Sequence, residues 1–225
     1  MSTSANKLPD TAHAETAQSA VWKSDFGREY TDRNRLDTTS LNDLYRKNYG
    51  ITRTELNAAF WREIARDASF LEIGCNAGNQ LALLFEMGHT NLSGVELQPY
   101  ALEIARKRLP QASLAEGSVL AIPHGDSSFD VVFTSGVLIH ISPNDLPRAM
   151  DEIYRCAKRY IWGVEYYAPE TMEVSYRSQS GLLWKMDYAR GYLERFCDLE
   201  LVREQRLPYL ENANVDSAFL LRKKS

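Results

Sequence analysis

The chain has 225 residues, of which 44% are hydrophobic and 25% are charged. This length allows one sizeable core, and the composition excludes collagen-like, disulfide-scaffold and wholly disordered proteins. There are 26 Lys and Arg against 30 Asp and Glu, for a net charge of −4, so no overall positive field favours nucleic acid or an anionic membrane surface. We expect a small-molecule partner, no nucleic acid and no membrane, and the sequence is compatible with a homodimer.

The three cysteines, Cys75, Cys156 and Cys197, are widely spaced, with no CxxC pair and no histidine at zinc-ligand spacing. This pattern predicts reduced thiols and no metal site. The first residues lack the basic start and apolar middle of a signal peptide, and no apolar run reaches the roughly 18 residues of a membrane span. We therefore expect a cytoplasmic protein.

The N-terminal third is predicted to hold a tail and a helical cap. Residues 1–20 are rich in Ser, Thr, Ala and Asn, so ordering them would cost entropy that no burial offsets, and a disordered tail is expected. Residues 21–68 form the predicted cap. Trp22, Phe26 and Tyr30 follow one another at spacings of four, as on one face of a short amphipathic helix.

Two further helices are predicted in the cap from capping-box patterns. Ser40 and Asp43 precede an apolar stripe that stops at Gly50, and Thr52 and Glu55 repeat the pattern before a second stripe.

Residues 69–225 form the predicted main domain, in which short apolar strands alternate with helical spacing. Ser142, Pro143 and Asp145 are predicted to start the helix that follows the fourth strand, and the chain ends in two β-like runs with no helix between them. This alternation predicts an α/β fold, a doubly wound Rossmann-like, mainly parallel sheet with a C-terminal antiparallel hairpin and an N-terminal helical cap. The predicted parallel strands are 70–73, 91–96, 113–116, 129–134 and 160–164.

The loop after the first strand carries the main chemical signal. Glu72, Gly74 and Gly78 form the pattern ExGxxxG, in which the glycines let backbone approach a ligand closely. The second strand ends in Glu96, 96 − 74 = 22 residues after the first glycine, where a carboxylate can accept both hydroxyls of a ribose. Because parallel strands present their carboxyl ends at one edge of the sheet, we expect a cofactor site there.

This arrangement resembles the class I S-adenosylmethionine (SAM)-dependent methyltransferases over about Phe70 to Leu221. The resemblance implies that Gly74 and its neighbours face the amino-acid part of SAM, supported by Glu72, while Glu96 holds the ribose. Ser118 departs from the Asp that is common at its point in the pattern. The remaining implied cofactor contacts are Asn76 and Gly78 in the loop, Leu97, Ser118 and Val119 around adenine, and Ser135 after the fourth strand.

Four further segments resemble a narrower family, the pseudaminic acid biosynthesis-associated methylases. They are FGREYTDRN (26–34), GVLIHISPNDL (136–146), EIYRCAKRYI (152–161) and EYY (165–167). The family's name implies a sugar or nucleotide-activated sugar of a nonulosonic acid pathway as acceptor.

Candidate catalytic residues follow the fourth and fifth strands. Methyl transfer is an in-line displacement that needs a base only when the acceptor must lose a proton. His140 has a suitable reference pKa, and Glu165 is the alternative base, with Tyr166 beside it. The competing interpretations are structural. His140 would bond to the backbone, and Glu165 and Tyr166 would pack at the end of the strand.

Further candidates surround the expected acceptor site. Tyr167, Arg177, Trp184 and Lys185 are predicted to bind the acceptor, with the arginine matching a carboxylate or phosphate. Tyr30, Arg33 and Asn34 are predicted to close over SAM as a lid.

The predicted function is methyl transfer from SAM to O or N of a small, sugar-like acceptor. The alternatives are a natural-product methyltransferase acting on an amino-acid-derived metabolite, a nicotinamide-dependent oxidoreductase, and a SAM-binding protein without turnover. The GxxxG spacing and the terminal hairpin argue against the oxidoreductase.

Overall fold

The computed structural model describes residues 16–177 and 180–224. Within these residues, seven strands form one sheet in the order β3-β2-β1-β4-β5-β9-β8, and β6 pairs with β7 in a separate two-stranded ribbon. The strands are β1 (Phe70–Ile73), β2 (Leu92–Glu96), β3 (Ser113–Glu116), β4 (Phe129–Ser135), β5 (Ala157–Tyr166), β6 (Met172–Glu173), β7 (Trp184–Lys185), β8 (Leu199–Pro208) and β9 (Val215–Lys223).

Strands β1 to β5 are parallel, and β9 runs antiparallel between β5 and β8. This arrangement confirms the predicted fold class, including the terminal hairpin. It also brings the start of β9 to the same edge of the sheet as the ends of the parallel strands, because β9 points the other way.

Eight α-helices are described. Four precede the sheet, and the others connect its strands or lie before β8. The helices are α1 (Ala17–Lys23), α2 (Asp25–Arg33), α3 (Thr38–Tyr49), α4 (Arg53–Phe60), α5 (Asn79–Glu86), α6 (Pro99–Arg108), α7 (Leu146–Cys156) and α8 (Tyr188–Arg195).

The core lies on both faces of the sheet. Val131 and Phe133 of β4 belong to the cluster beneath α3, α4 and α5, whereas Val132 faces the cluster beneath α7 and α8. Successive side chains of a strand point to opposite faces, so a continuous apolar run is what a strand covered on both sides requires.

The N-terminal region differs from the prediction in its boundaries. Residues 17–20 belong to α1, so a disordered tail reaching residue 20 is wrong at its end, while residues 1–15 of that predicted tail lie outside the described residues. The predicted single helical stripe is two helices, because Ser24 ends α1 and caps α2, accepting a hydrogen bond from Phe26 N.

The predicted N-cap is wrong for α3 and correct for α4. Helix α3 is capped by Asp37, which accepts from Ser40 N at 2.7 Å, and not by Ser40. The predicted stop is correct, since Gly50 ends α3 in the left-handed conformation. The capping box at Thr52 is confirmed, and its partner Glu55 reaches back to the cap backbone.

Helix α7 begins later than predicted. Ser142 and Asp145 bond to one another, with the serine hydroxyl donating to Asp145 Oδ2 at 2.7 Å, and residues 143–145 form a turn. The helix starts at Leu146, where Pro147 occupies the first turn. A proline fits there because the amide it lacks would have no partner within the helix.

No helix in the described ranges combines the length and apolar character needed to cross a bilayer.

Candidate active site

A cavity of about 380 Å³ lies at the carboxyl edge of the sheet. Its floor is the ends of β1, β2 and β4, and its roof is residues of α1, α2 and α3. Twelve of the predicted site residues line it. They are Tyr30, Asn34, Glu72, Gly74, Asn76, Glu96, Leu97, Ser118, Val119, Ser135, His140 and Tyr166.

The loop after β1 needs its first glycine. Gly74 has a φ of +68°, and a Cβ there would stand 2.7 Å from a methyl carbon of Val137. Asn76 also adopts a positive φ, of 47°, which turns its backbone N–H toward β2. The strand can therefore pass directly into α5 while its backbone borders the cavity.

Gly78 does not line the cavity. Its φ is +75°, and a Cβ there would meet Leu109 of the chain after α6 at 2.8 Å. The structure places this glycine where α5 and α6 approach closely, which is a packing requirement and not a ligand contact.

Glu96 is a buried carboxylate that organises the loop. Its Oε2 accepts from Asn76 N and its Oε1 from Gln98 N, both at 2.7 Å. Burial raises the pKa of the carboxyl, while these backbone hydrogen bonds oppose that effect. A carboxylate has about four acceptor positions, so Glu96 retains capacity for two further donors.

Glu72 carries an unsatisfied acceptor in the cavity wall. Its side chain is 3% exposed, and Oε2 has no hydrogen-bond partner among the described residues. Burial raises the pKa of Glu72 well above its usual range, although the positive charge of Arg53 acts in the opposite direction. Such an oxygen costs about 1–3 kcal/mol when unpaired, and a ligand ammonium would satisfy it.

Arg53 supports this region from below. It is fully buried, donates from Nε to Asn57 and from Nη1 to Ser135 Oγ at 3.1 Å, and also bonds the hydroxyl of Tyr45. Its guanidinium lies 4.5 Å from the ring centroid of Trp162. The predicted cap at Thr52 gave no signal for this role, which depends on α4 docking against β4.

His140 lies in a short 3-10 turn after β4 and faces the cavity. Its Nδ1 donates to the carbonyl of Leu182 at 2.8 Å, so Nε2 is the acceptor nitrogen of the neutral ring. Burial lowers the pKa of His140 to about 4. The ring of Trp22 in the roof stands 4.5 Å away, centroid to centroid.

Glu165 does not face the cavity. Its two carboxylate oxygens accept from Val137 N at 3.2 Å and Ile139 N at 3.4 Å, and the side chain is 1% exposed. It therefore satisfies the backbone of the turn that carries His140, and burial raises the pKa of Glu165 to about 7.

Five other predicted residues lie outside the cavity. Arg33 is exposed and pairs with Glu29. Tyr167 lies under the guanidinium of Arg206, 3.5 Å from the ring centroid, and Lys185 donates to Asn214 at 2.6 Å. Arg177 is exposed, and Trp184 is buried within β7. None of the four predicted acceptor-binding residues therefore lines the cavity.

The comparisons with known proteins match this architecture. Residues 71–160 match the family model described as a methyltransferase domain. The matched residues make up less than half of the chain, and the match agrees with the class of enzyme expected from the sequence.

Sequence relatives match only part of the chain. An uncharacterized methyltransferase of Synechocystis is 31% identical over 88 residues, 39% of this chain and 41% of that protein. The demethylmenaquinone methyltransferase of Chlorobaculum parvum is 28% identical over 110 residues, 44% of this chain and 45% of that protein. The chain thus spans less than half the length of these relatives.

A solved structure agrees over nearly the whole chain. The 1,6-didemethyltoxoflavin-N1-methyltransferase of Burkholderia thailandensis, crystallised with 1,6-didemethyltoxoflavin and S-adenosylhomocysteine, superimposes with a TM-score of 0.71. The match covers 97% of this chain and 94% of that one at 19% identity. It shows that the shared fold includes the N-terminal helices and the terminal hairpin.

The roof and one end of the cavity come from outside the matched residues. Trp22 and Tyr30 belong to the roof, while Tyr49, Tyr209 and Asp216 close the far end. The sequence interpretation missed the last three. A signal for Asp216 was present, since an acid at the start of the final β-like run lies at the ligand edge once that run is antiparallel.

Proposed function

We propose that this protein is a SAM-dependent methyltransferase that methylates an oxygen or nitrogen atom of a small acceptor. The observation that carries the proposal is a methyltransferase domain whose cavity contains both the retained acceptor capacity of Glu96 and the unpartnered oxygen of Glu72.

The residues present fit SAM. Glu96 would accept the two ribose hydroxyls, and Glu72 Oε2 would accept from the ammonium of the methionine part. Leu97, Ser118 and Val119 line the adenine side of the cavity. When bound, SAM supplies a methyl group activated by its sulfonium, and the bound S-adenosylhomocysteine of the Burkholderia enzyme supports this cofactor.

His140 is the proposed proton acceptor. With its Nδ1 proton held by Leu182, its Nε2 can take the proton that leaves the acceptor hydroxyl or amine. Its low pKa keeps the ring neutral at physiological pH, so Nε2 carries no proton. Glu165 is not proposed for this role because the turn occupies both of its oxygens.

The roof is proposed to act as a lid. Gln98 donates from Nε2 to Trp22 O and Ser24 O, both at 3.1 Å, which ties α1 and α2 to the segment that follows Glu96. Tyr100 adds a bond to Asp32 at 2.7 Å. A closed roof excludes water from the methyl donor.

The acceptor class is the finer part of the proposal. The narrower family resemblance supports a sugar, and an amino-acid-derived metabolite is the alternative. Neither Lys nor Arg contributes to the cavity lining within the described residues, which disfavours a nucleotide-activated sugar, whose phosphates need cations. The cytoplasmic location and the compatibility with a homodimer stay predictions.

The test starts with calorimetric titration of the full chain with SAM and, separately, NAD. We expect SAM alone to bind, whereas binding of NAD alone would replace the proposal with the oxidoreductase. The enzyme is then incubated with SAM and cell extract, and products are compared by mass spectrometry. A metabolite heavier by one methylene that depends on active enzyme supports turnover, and SAM binding without any such product would favour a binding protein.

A further inference from the structure

The far end of the cavity holds a group of tyrosines around one acid, here named the tyrosine–aspartate cluster. Its members are Tyr45 and Tyr49 of α3, Tyr166 of β5, Tyr209 after β8 and Asp216 of β9, and all five line the cavity. Asp216 pairs with Tyr166 across the β5–β9 ladder. Since β9 is three strands from β1, the cluster lies roughly 14 Å along the sheet from the glycine loop.

Asp216 has an acceptor position to spare. Its Oδ2 accepts from the hydroxyl of Tyr49 at 2.6 Å and from that of Tyr209 at 3.4 Å. Its Oδ1 is buried and has no partner among the described residues, although the side chain is 5% exposed and borders the cavity. A buried carboxylate oxygen without a donor is costly, so a ligand donor would be strongly favoured there.

Within residues 16–177 and 180–224, neither a Lys nor an Arg donates a hydrogen bond to this acid. Lys185 and Arg53 both act on Asp216 through space, but Lys185 donates to Asn214 and lies 5.4 Å from the ring centroid of Tyr166. Arg53 donates to Asn57, to Ser135 and to the hydroxyl of Tyr45. The described lining of the cavity holds four carboxylates and neither Lys nor Arg. The acids are Glu72, Glu96, Asp145 and Asp216.

Aromatic rings surround the acid. The ring centroids of Tyr49 and Tyr209 are 4.8 Å apart, those of Tyr45 and Tyr49 are 5.2 Å apart, and those of Tyr166 and Tyr209 are 6.5 Å apart. Aromatic faces attract cations, and the attraction grows when the cation is removed from water. A carboxylate among tyrosine rings therefore selects a positively charged nitrogen over a neutral or anionic group.

We propose that the tyrosine–aspartate cluster binds the methyl acceptor through a protonated amine, whose ammonium donates to Asp216 Oδ1 between the tyrosine rings. The assignment rests on the proposed function, because it treats the cavity as a methyltransferase site. A protonated amine has no lone pair, so the ammonium is an anchor, and a different oxygen or nitrogen of the acceptor receives the methyl group. The acceptor class is thus an amine-bearing small molecule, amino sugars included.

Binding of the amine should depend on pH. Burial raises the pKa of Asp216 to about 6, while the bonds from the two tyrosines and the charges of Lys185 and Arg53 lower it. An ammonium favours the ionised carboxylate, so its affinity should rise as pH increases through about 6 and then level off. The hydroxyls of Tyr45 and Tyr166 also border this end of the cavity, and burial together with the charge of Asp216 raises the pKa of Tyr166.

The test uses benzylamine and benzyl alcohol as probes, because they share the ring and differ in charge. Binding to the full chain saturated with S-adenosylhomocysteine is measured by ligand-observed NMR at pH 7.5 and pH 5. We expect benzylamine to bind at least tenfold more tightly than benzyl alcohol at pH 7.5, with most of that preference lost at pH 5. Equal affinity of the two probes at pH 7.5 would overturn the proposal.

Two variants test whether Asp216 causes the preference for benzylamine. Asp216→Asn should lose at least tenfold in benzylamine affinity while benzyl alcohol binding is unchanged. The matched control is Asp198→Asn, since Asp198 also accepts from a tyrosine hydroxyl, that of Tyr154 at 2.6 Å, yet lies outside the cavity. It should bind both probes as the wild type does. A preference that survives Asp216→Asn would refute the assignment.

Two further measurements cover a variant that does not fold and separate this proposal from the proposed function. If Asp216→Asn does not fold, Tyr209→Leu replaces it, and removal of that ring should weaken benzylamine several-fold more than benzyl alcohol. Calorimetry with S-adenosylhomocysteine on the wild type separates the two proposals. Absence of that binding refutes the proposed function, whereas its presence without any preference for the amine refutes the cluster assignment alone.

Discussion

Replacement of Glu96 by glutamine is the sharpest test of the cofactor site. Both carboxylate oxygens already accept backbone hydrogen bonds at 2.7 Å, one from the glycine loop and one from the start of α6. The proposal assigns the remaining acceptor positions to the ribose hydroxyls. Glutamine keeps the size of the side chain but turns one acceptor into an NH₂ donor that faces an N–H.

The expected loss follows from the number of bonds. Glu96→Gln gives up one charge-assisted bond to the ribose, worth about 1.5–3 kcal/mol, so SAM affinity should fall roughly 10- to 150-fold. The free energy of unfolding should change by less than this amount. The variant loses a backbone hydrogen bond, but it also avoids the cost of burying a charge, which is the cost that raises the pKa of Glu96. The two effects partly cancel.

Calorimetric titration with SAM measures the affinity, and urea unfolding measures the stability. Glu103→Gln is the matched control, because Glu103 is an exposed acid of α6 that pairs with Lys107 at 2.6 Å and lies outside the cavity. It should leave SAM affinity unchanged. Wild-type affinity in Glu96→Gln would remove Glu96 from the ribose site.

Three other substitutions test the chemistry, the loop and the buried acid. His140→Ala should lower kcat by about 10²–10⁴ with SAM affinity retained. The control His124→Ala, outside the cavity, should leave kcat unchanged. Because the pKa of His140 is about 4, kcat should not vary with pH above about 5. Gly74→Ala and Gly181→Ala should each lower the free energy of unfolding by about 1–2 kcal/mol, because alanine disfavours the left-handed conformation. Gly74→Ala should lose roughly 1–3 kcal/mol more, because its Cβ would overlap Val137. Equal losses in urea unfolding would contradict the overlap. The raised pKa of Glu165, about 7 against 4.5, means that the folded state favours the protonated acid. The free energy of unfolding of the wild type relative to Glu165→Gln should therefore fall by about 3 kcal/mol as pH rises from 4 to 8. The same pH dependence of stability in both proteins would refute this.

Local patterns were sufficient for much of the fold. Strands β1 and β4 were predictable because their apolar runs are short and are followed by glycines, Gly74 and Gly136. Cap positions were less certain, since Asp37 and Ser40 both offer an oxygen three residues before a plausible partner. The structure selects Asp37, whose carboxylate accepts from Ser40 N.

Residues that line the cavity could be predicted where they end or follow a parallel strand, as Glu96 and His140 do. Glu165 failed because the turn at 137–139 has backbone N–H groups that need an acceptor, and the carboxylate turns toward them. Asp216 and Tyr49 could not be predicted as a pair. Their hydrogen bond joins residues 167 positions apart and depends on both the register of β9 and the docking of α3.

The roof connects the two halves of the proposed site. Gln98 receives its position from Glu96, to which its backbone N–H donates, and its side chain holds the carbonyls of Trp22 and Ser24. Trp22 in turn packs on His140. A ligand that bonds Glu96 therefore acts on the same segment that fixes the roof above the proposed base. Burial lowers the pKa of His140, and Trp22 is one of the groups that cover it. We therefore expect cofactor binding, roof closure and the pKa of the proposed base to be linked through these contacts.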